Sequence, residues 1–215
     1  MLKTLGFLPR RRDLTRAAFR EYYEHRHAPL ALSHVHVFLK YVRNHLAGDA
    51  AAAAPFDTVS EFWFENAEAA AGIGKWLQTP AGKVLRDDEE RFMDRSRIGA
   101  CVAEEYLLLG PARAYESGTV RKLGLVIAPV DPLARRAPGE IRAACETLLE
   151  RRSGLAQRAL LDVPVSSLPA HVAVEAILWI WPHDPARTAQ SLADEPGASL
   201  IAFDAIETAP EILSG

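Results

Sequence analysis

Between Met1 and Leu109 the residues fall into the order strand, helix, strand, strand, helix, strand, and this order constrains the fold more than any single motif. Residues 1–8 form a short apolar run closed by Pro9, which reads as a strand. Thr15 is placed to cap a helix, because its hydroxyl can accept from a free backbone N–H. Along that helix Phe19, Tyr22, Tyr23, Arg26 and His27 recur at spacings of three and four and share one side. Pro29 is expected to end it, since the residue before a proline avoids the helical region. Residues 35–46 and 56–64 read as the second and third strands; Val59, Phe62, Trp63 and Phe64 favour β structure. Gly48, the alanine run 50–54 and Pro55 join them. Asn66 caps a helix to about residue 77, Thr79-Pro80 opens another through residue 91, and residues 98–109 form the fourth strand.

Strand–helix–strand–strand–helix–strand is the split βαβ pattern of ferredoxin-like units. After Gly110-Pro111 the same order is expected again. Residues 119–127 read as a strand, 138–152 as a helix, 156–163 and 171–181 as strands, 185–193 as a helix capped by Asp184, and 199–208 as a final strand. The 215 residues are comfortable for two such units. The expected division is a first unit at 1–110, a linker at 111–118 and a second unit at 119–215. Each four-stranded sheet carries helices on one face, and a second sheet is the natural cover for the other. The fold class expected is α+β, with two βαββαβ units packed sheet to sheet as a barrel-like pseudo-dimer.

Composition narrows the function classes. Apolar residues make up 49% of the chain and charged residues 25%, as in ordinary globular proteins, and the net charge is −3. The cluster Arg10, Arg11, Arg12 is short and soon followed by Asp13, so a nucleic-acid partner is not expected. No run approaches the length of a membrane span, and the first residues lack the apolar core of a secretion signal, so a cytoplasmic protein without a membrane partner is expected. Cys101 and Cys145 have no paired-ligand spacing and read as small core residues.

Five of the seven histidines lie between His25 and His45. Histidine is the side chain best suited to proton transfer near neutral pH. His34 and His36 would share one face of a strand, but no HExxH motif or cysteine pair accompanies them, so no metal is expected. His27, at the end of the first helix, reads either as a cap on the helix dipole or as an acid/base. In the second strand, alternation puts Tyr41, Arg43 and His45 on one face, with Val42 and Asn44 on the other. In the third it groups Asp57, Val59, Glu61 and Trp63 against Thr58, Ser60, Phe62 and Phe64. An apolar surface with a few convergent polar groups suits a small-molecule pocket, and an ordinary solvated sheet face is the bland alternative. The acidic run 87–90 reads as a solvated helical face.

Four stretches resemble the EthD family of dimeric α/β barrels: FLPRRRDLTRAAFREYYEHRHAPL (7–30), YVRNHL (41–46), FDTVSEFWFENAEAA (56–70) and the segment from RFMD to EEY (91–106). The resemblance implies two ferredoxin-like units sharing one barrel and a pocket for a small hydrophobic or aromatic molecule. It implies no cofactor. His27, Tyr41, Asn44, Asp57, Glu61 and Trp63 match the family's positions. The site expected on this basis uses His27 or His45, with Asp57, for catalysis. Tyr41, Asn44, Glu61, Trp63 and Phe92 would bind substrate. If Phe62-Trp63-Phe64 aligns with Trp179-Ile180-Trp181, Glu61 falls on Leu178 and Asp57 on Val174. The second unit then looks like a degenerate copy that completes an intramolecular pseudo-dimer, with further pairing into a homodimer left open.

Three functions follow as expectations. The first is a cofactor-independent lyase or isomerase of dehydratase or decarboxylase type. The second is a non-catalytic small-molecule binding or accessory protein. The third, ranked last, is an oxidative or haem-linked barrel enzyme with His27 or His45 as axial ligand.

Overall fold

A computed structural model of the protein describes residues 1–48, 54–131 and 134–214. Its strands are β1 (Leu2–Leu8), β2 (Lys40–Ala47), β3 (Thr58–Phe64), β4 (Gly99–Leu109), β5 (Thr119–Ile127), β6 (Ala156–Pro164), β7 (Ala176–Pro182) and β8 (Ala198–Glu207). The helices are α1 (Arg16–Tyr22), α2 (Ala28–Leu32), α3 (Ala67–Leu77), α4 (Lys83–Phe92), α5 (Pro138–Arg151), α6 (Pro185–Leu192) and α7 (Pro210–Leu213). Residues 50–53 of the alanine-rich connection lie outside the described residues.

The eight strands close into one antiparallel barrel in the order β1-β3-β2-β8-β5-β7-β6-β4, with β4 returning to β1. The first half contributes β4-β1-β3-β2 and the second half β8-β5-β7-β6, the same order within each βαββαβ unit. The units join at both edges, β2 against β8 and β4 against β6. Closure leaves no strand edge unpaired.

Strand alternation divides the side chains into two sets. Leu5, Phe7, Val59, Leu160, Ile177, Trp179, Trp181 and Phe203 fill the barrel, while Leu123, Leu125, Ile141, Leu161, Leu178 and Ile180 pack between the second sheet and its helices. On the first half, Phe19, Tyr23, Tyr41, Phe92 and Met93 form the corresponding layer under the helices. This alternation corrects one alignment. Trp179 and Trp181 face inward with Trp63, whereas Ile180 faces the helices. Matching Trp63 to Ile180 is therefore a slip of one residue, and a one-residue slip exchanges the two faces of a strand.

The caps are where the sequence places them. Thr15 Oγ1 accepts from the Ala18 N–H, Asn66 Oδ1 from Ala69, and Asp184 Oδ1 from Ala186 and Arg187. Pro29, however, does not end its helix. A π-helical turn over Tyr23–His27 follows α1, and Pro29 sits in the first turn of α2. Proline is tolerated there because its fixed φ is already helical and the π turn shifts the hydrogen-bond register just before it. The second strand also begins later than expected, at Lys40. Among the described residues no helix is long and apolar enough to cross a membrane.

Two glycines mark opposite limits of the packing. A Cβ on Gly124, inside the barrel, would stand 2.6 Å from the fully buried Phe203 ring and 3.3 Å from Trp179, whereas Gly72 in α3 has open space. Gly124→Ala is expected to destabilise the fold by about 1–3 kcal/mol through overpacking, and Gly72→Ala to stabilise it by about 0.5–1 kcal/mol through helix propensity. Chemical denaturation of both variants checks this contrast.

Candidate active site

The π-helical turn places His27 facing the sheet, with its side chain buried. Such single-turn insertions recur at functional sites. His27 Nδ1 lies 2.9 Å from Asp88 Oδ2, and Asp88 Oδ1 accepts from the Tyr22 hydroxyl at 2.7 Å. An ionised carboxylate can only accept, so it fixes the tautomer with hydrogen on Nδ1 and leaves the Nε2 lone pair available. Burial acts to raise the Asp88 pKa, but the hydrogen bonds from His27 and Tyr22 prevail and hold it below the ordinary carboxylate value. Among the described residues, Nε2 has no hydrogen-bond partner. The ring is wedged between Tyr23 and Phe92, with centroids at 5.3 and 4.9 Å.

His27 opens on a cavity of about 170 Å³ between the sheet and its helices. Its walls are mostly apolar, including Leu8, Phe38, Phe62, Ile73, Leu77 and Met93. Tyr23, Tyr41 and Glu89 also line it. The two tyrosines are committed to each other: the Tyr41 hydroxyl donates to Tyr23 at 2.9 Å, and Tyr23 pairs with Ser60 Oγ at 2.8 Å. Burial pushes the Tyr23 phenol up to about 12, and the Tyr41 phenol is raised too.

The other candidates lie elsewhere. Both nitrogens of His45 are engaged, Nδ1 with Thr58 Oγ1 at 2.7 Å and Nε2 with Glu24 Oε1 at 2.6 Å. Burial lowers its pKa, against the pull of Glu24. His45 and Asp57 border a second cavity, of about 270 Å³, lined also by Arg16, Arg20, Arg121 and Asp204. Asp57 accepts from the Arg10 backbone N–H and from Arg16 Nε, tying the start of α1 to the barrel end.

Asn44, Glu61 and Trp63 point into the barrel. Asn44 donates to Glu61 Oε1 at 2.8 Å, and Glu61 meets Lys3 at 2.8 Å, Arg113 at 3.0 Å and Lys122 at 3.2 Å. Burial would raise the Glu61 pKa, but these three cations hold it well below the carboxylate range. Lys122, fully buried with its ammonium 4.0 Å from the Trp179 ring centre, is pushed down by burial to about 7. Burial also raises Asp162 to about 6, although Lys3 and the Trp179 N–H both reach it. Glu61, Glu105 and Asp162 bring oxygens within 4.8 Å of one another. The Lys3 ammonium stands among them at 2.5–2.8 Å and supplies one positive charge at their centre.

The sheet therefore separates the residues singled out from sequence. His27 and Tyr41 share the helix-side cavity, with Phe92 behind the imidazole; Asn44, Glu61 and Trp63 lie inside the barrel; His45 and Asp57 flank a different cavity. Sequence reasoning missed Asp88, Glu89, Tyr23, Lys3, Lys122 and Arg113. Asp88 was hidden in an acidic run. Lys3 and Lys122 had a usable signal, because each alternates with inward apolar residues in its strand.

The EthD domain family's model matches residues 11–96. No curated protein sequence matches the chain. Two solved structures are similar over nearly the whole length. One is an anthrone oxidase-like protein, with TM-score 0.57 and 8% identity, covering 96% of this chain and 92% of that one. The other is a monooxygenase-like protein of Fusobacterium nucleatum, with TM-score 0.50 and 8% identity, covering 95% and 91%. At such identity the likeness speaks to the fold.

Glu61 is the anion that makes three buried cations tolerable. Glu61→Gln is expected to cost about 3–5 kcal/mol, because it takes from buried Lys122 its anionic partner and from Lys3 and Arg113 one of theirs. Adding Lys122→Met should recover part of that loss, with a coupling of about 0.5–3 kcal/mol in a double-mutant cycle. Lys122 is depressed from 10.5 to about 7, so the unfolded chain binds more protons between those values. Its contribution to stability rises with pH across that window and is lost as pH falls through about 7. Wild type minus Lys122→Met, followed by denaturation from pH 7 to 10, should show that slope.

Proposed function

We propose that this chain, whose N-terminal half carries an EthD domain, binds a small apolar or aromatic molecule in the helix-side cavity and moves a proton with His27. The observation that carries the reading is a histidine oriented by a buried carboxylate, with its second nitrogen available, in an otherwise apolar chamber. An apolar cavity of about 150 Å³ takes up benzene, so about 170 Å³ suits a single ring. Desolvation by the aromatic walls strengthens any charge interaction made there.

His27 Nε2 accepts a proton from an acidic C–H or O–H of the bound molecule. The imidazolium that forms is held by Asp88, which stays ionised. Return of the proton to a different atom gives isomerisation; loss of a leaving group gives elimination. This is lyase or isomerase chemistry of dehydratase type; in a decarboxylase-type reaction the protonated His27 instead gives its proton to the carbon from which CO2 has left. The second half supplies the facing sheet that completes the barrel. Its helix α5 ends at Arg151, with no histidine to match His27. One proton-transfer site per chain is therefore the reading.

The test pairs ligand identification with turnover. Native mass spectrometry of the purified protein identifies a retained molecule, and a panel built on it is assayed with wild type, His27→Ala and Asp88→Asn. His27→Ala should lose about 10²–10⁴-fold in kcat/KM. Asp88→Asn should lose activity through the tautomer and orientation of His27 with little change in KM. A ligand bound at full affinity and returned unaltered by wild type would instead establish a binding or accessory protein.

A further inference from the structure

In the barrel β6 and β7 separate β4 from β5, so the linker between β4 and β5 has to cross the barrel's end. Among the described residues, no backbone hydrogen bond holds residues 111–117 to the strands beneath. Two side chains hold them instead. Glu116 pairs with Arg158 and accepts from the Trp181 Nε1–H at 3.3 Å. Arg113 runs into the barrel mouth, where its buried guanidinium lies between Trp63 of β3 and Trp181 of β7 and meets Glu61 at 3.0 Å. Gly110, at the start of this strap, has a φ of +80°, a backbone conformation that glycine adopts freely.

Arg113 fills this mouth incompletely. Among the described residues its Nε has no acceptor, and Glu207 Oε2, on a side chain only 5% exposed, has no donor. The nearest approaches, Nε to Glu116 and the guanidinium to Glu207, are both 4.0 Å. Buried polar atoms are nearly always hydrogen-bonded, so a spare donor beside a spare acceptor marks a site that its resident fits poorly. The charges point the same way. Lys122, Arg158 and Lys40 reach Glu61, Glu116 and Glu207 in turn, and Lys3 serves Glu105 and Asp162 as well as Glu61. With Arg113 withdrawn, these five carboxylates meet four cations, and one positive charge is missing.

We propose that the barrel mouth is a binding site for a small alkylguanidinium ligand, and that Arg113 is a tethered stand-in which the free ligand displaces. Residues 111–115 lift from Gly110 while Glu116 stays on Arg158. Two indole faces suit a planar, weakly hydrated cation. Glu61 and Glu207 stand on different strands, β3 and β8, and stay on the barrel when the linker lifts. A guanidinium freed from the linker can turn to donate to both of them, which Arg113 does not do. This site is separate from the His27 chamber and stands or falls independently of it.

The probe is ethylguanidinium chloride below denaturing concentration, titrated into the full-length protein and followed by nitrogen NMR, with ethylammonium chloride as the matched salt. In wild type the indole N–H signals of Trp63 and Trp181 should shift saturably, and the Arg113 Nε–H signal should move to the position of exposed arginines. Arg113→Met removes the tethered competitor. If the mouth is open in at most about 10% of wild-type molecules, this variant should bind at least about tenfold more tightly. Glu207→Gln should weaken binding about 10–100-fold, the worth of one hydrogen bond to a charged group. No saturable shift in either wild type or Arg113→Met overturns the site. Shifts in Arg113→Met with wild type silent make Arg113 a permanent plug and overturn the displacement. Wild-type indole shifts with the Arg113 signal unmoved, an affinity unchanged by Glu207→Gln, or equal shifts from ethylammonium also overturn the proposal. Melting of each variant separates lost binding from lost folding, and the wild-type titration decides alone if Arg113→Met does not fold.

Discussion

Closure of the barrel is the constraint on which the rest of the structure depends. A four-stranded sheet has two edges of unpaired N–H and C=O groups, and here each edge of one half is satisfied by an edge of the other, β2 by β8 and β4 by β6. Once the ring is closed, every strand residue faces either the barrel interior or the helices. That alternation determines which polar groups can meet. It keeps Glu61 from His27 although both lie near the same strands, and it gives the protein two chemically distinct compartments.

The interior compartment is charged and full. Lys3, Lys122 and Arg113 surround Glu61, with Asp162 and Glu105 on the far side of Lys3. The linker between the halves contributes Arg113, whose guanidinium lies between Trp63 and Trp181, at 5.5 and 5.6 Å from the ring centres. Buried ion pairs of this kind add little net stability over an apolar core but penalise any arrangement that breaks them. The helix-side compartment is the reverse: apolar, partly hollow, with one oriented histidine.

Much of this was legible in the sequence. The element order predicts both βαββαβ units, and alternation assigns the two faces of β2 and β3 correctly except at Asp57, which precedes β3 and sits with His45 at the barrel end, not inside with Glu61. The helix N-caps at Thr15, Asn66 and Asp184 hold as read. The site was less legible, for physical reasons. Tyr41 and Glu61 match one family pattern but lie on opposite sides of a sheet, and pattern matching does not carry a face. Asp88 is indistinguishable in sequence from Asp87 beside it; only the helix rotation turns one toward His27 and the other toward solvent. The π-helical turn that aims His27 has no sequence signature, and Pro29 was misread as a stop because that turn was invisible.

The central claim is that neutral ligands enter the His27 chamber and not the barrel. A nitrogen NMR titration with 2-cyclohexenone tests it most directly, because imidazole and indole nitrogens report the two compartments separately. The account predicts that the His27 Nε2 resonance shifts saturably while the indole signals of Trp63, Trp179 and Trp181 stay in place. Saturable shifts of those indole signals with His27 unmoved would contradict it.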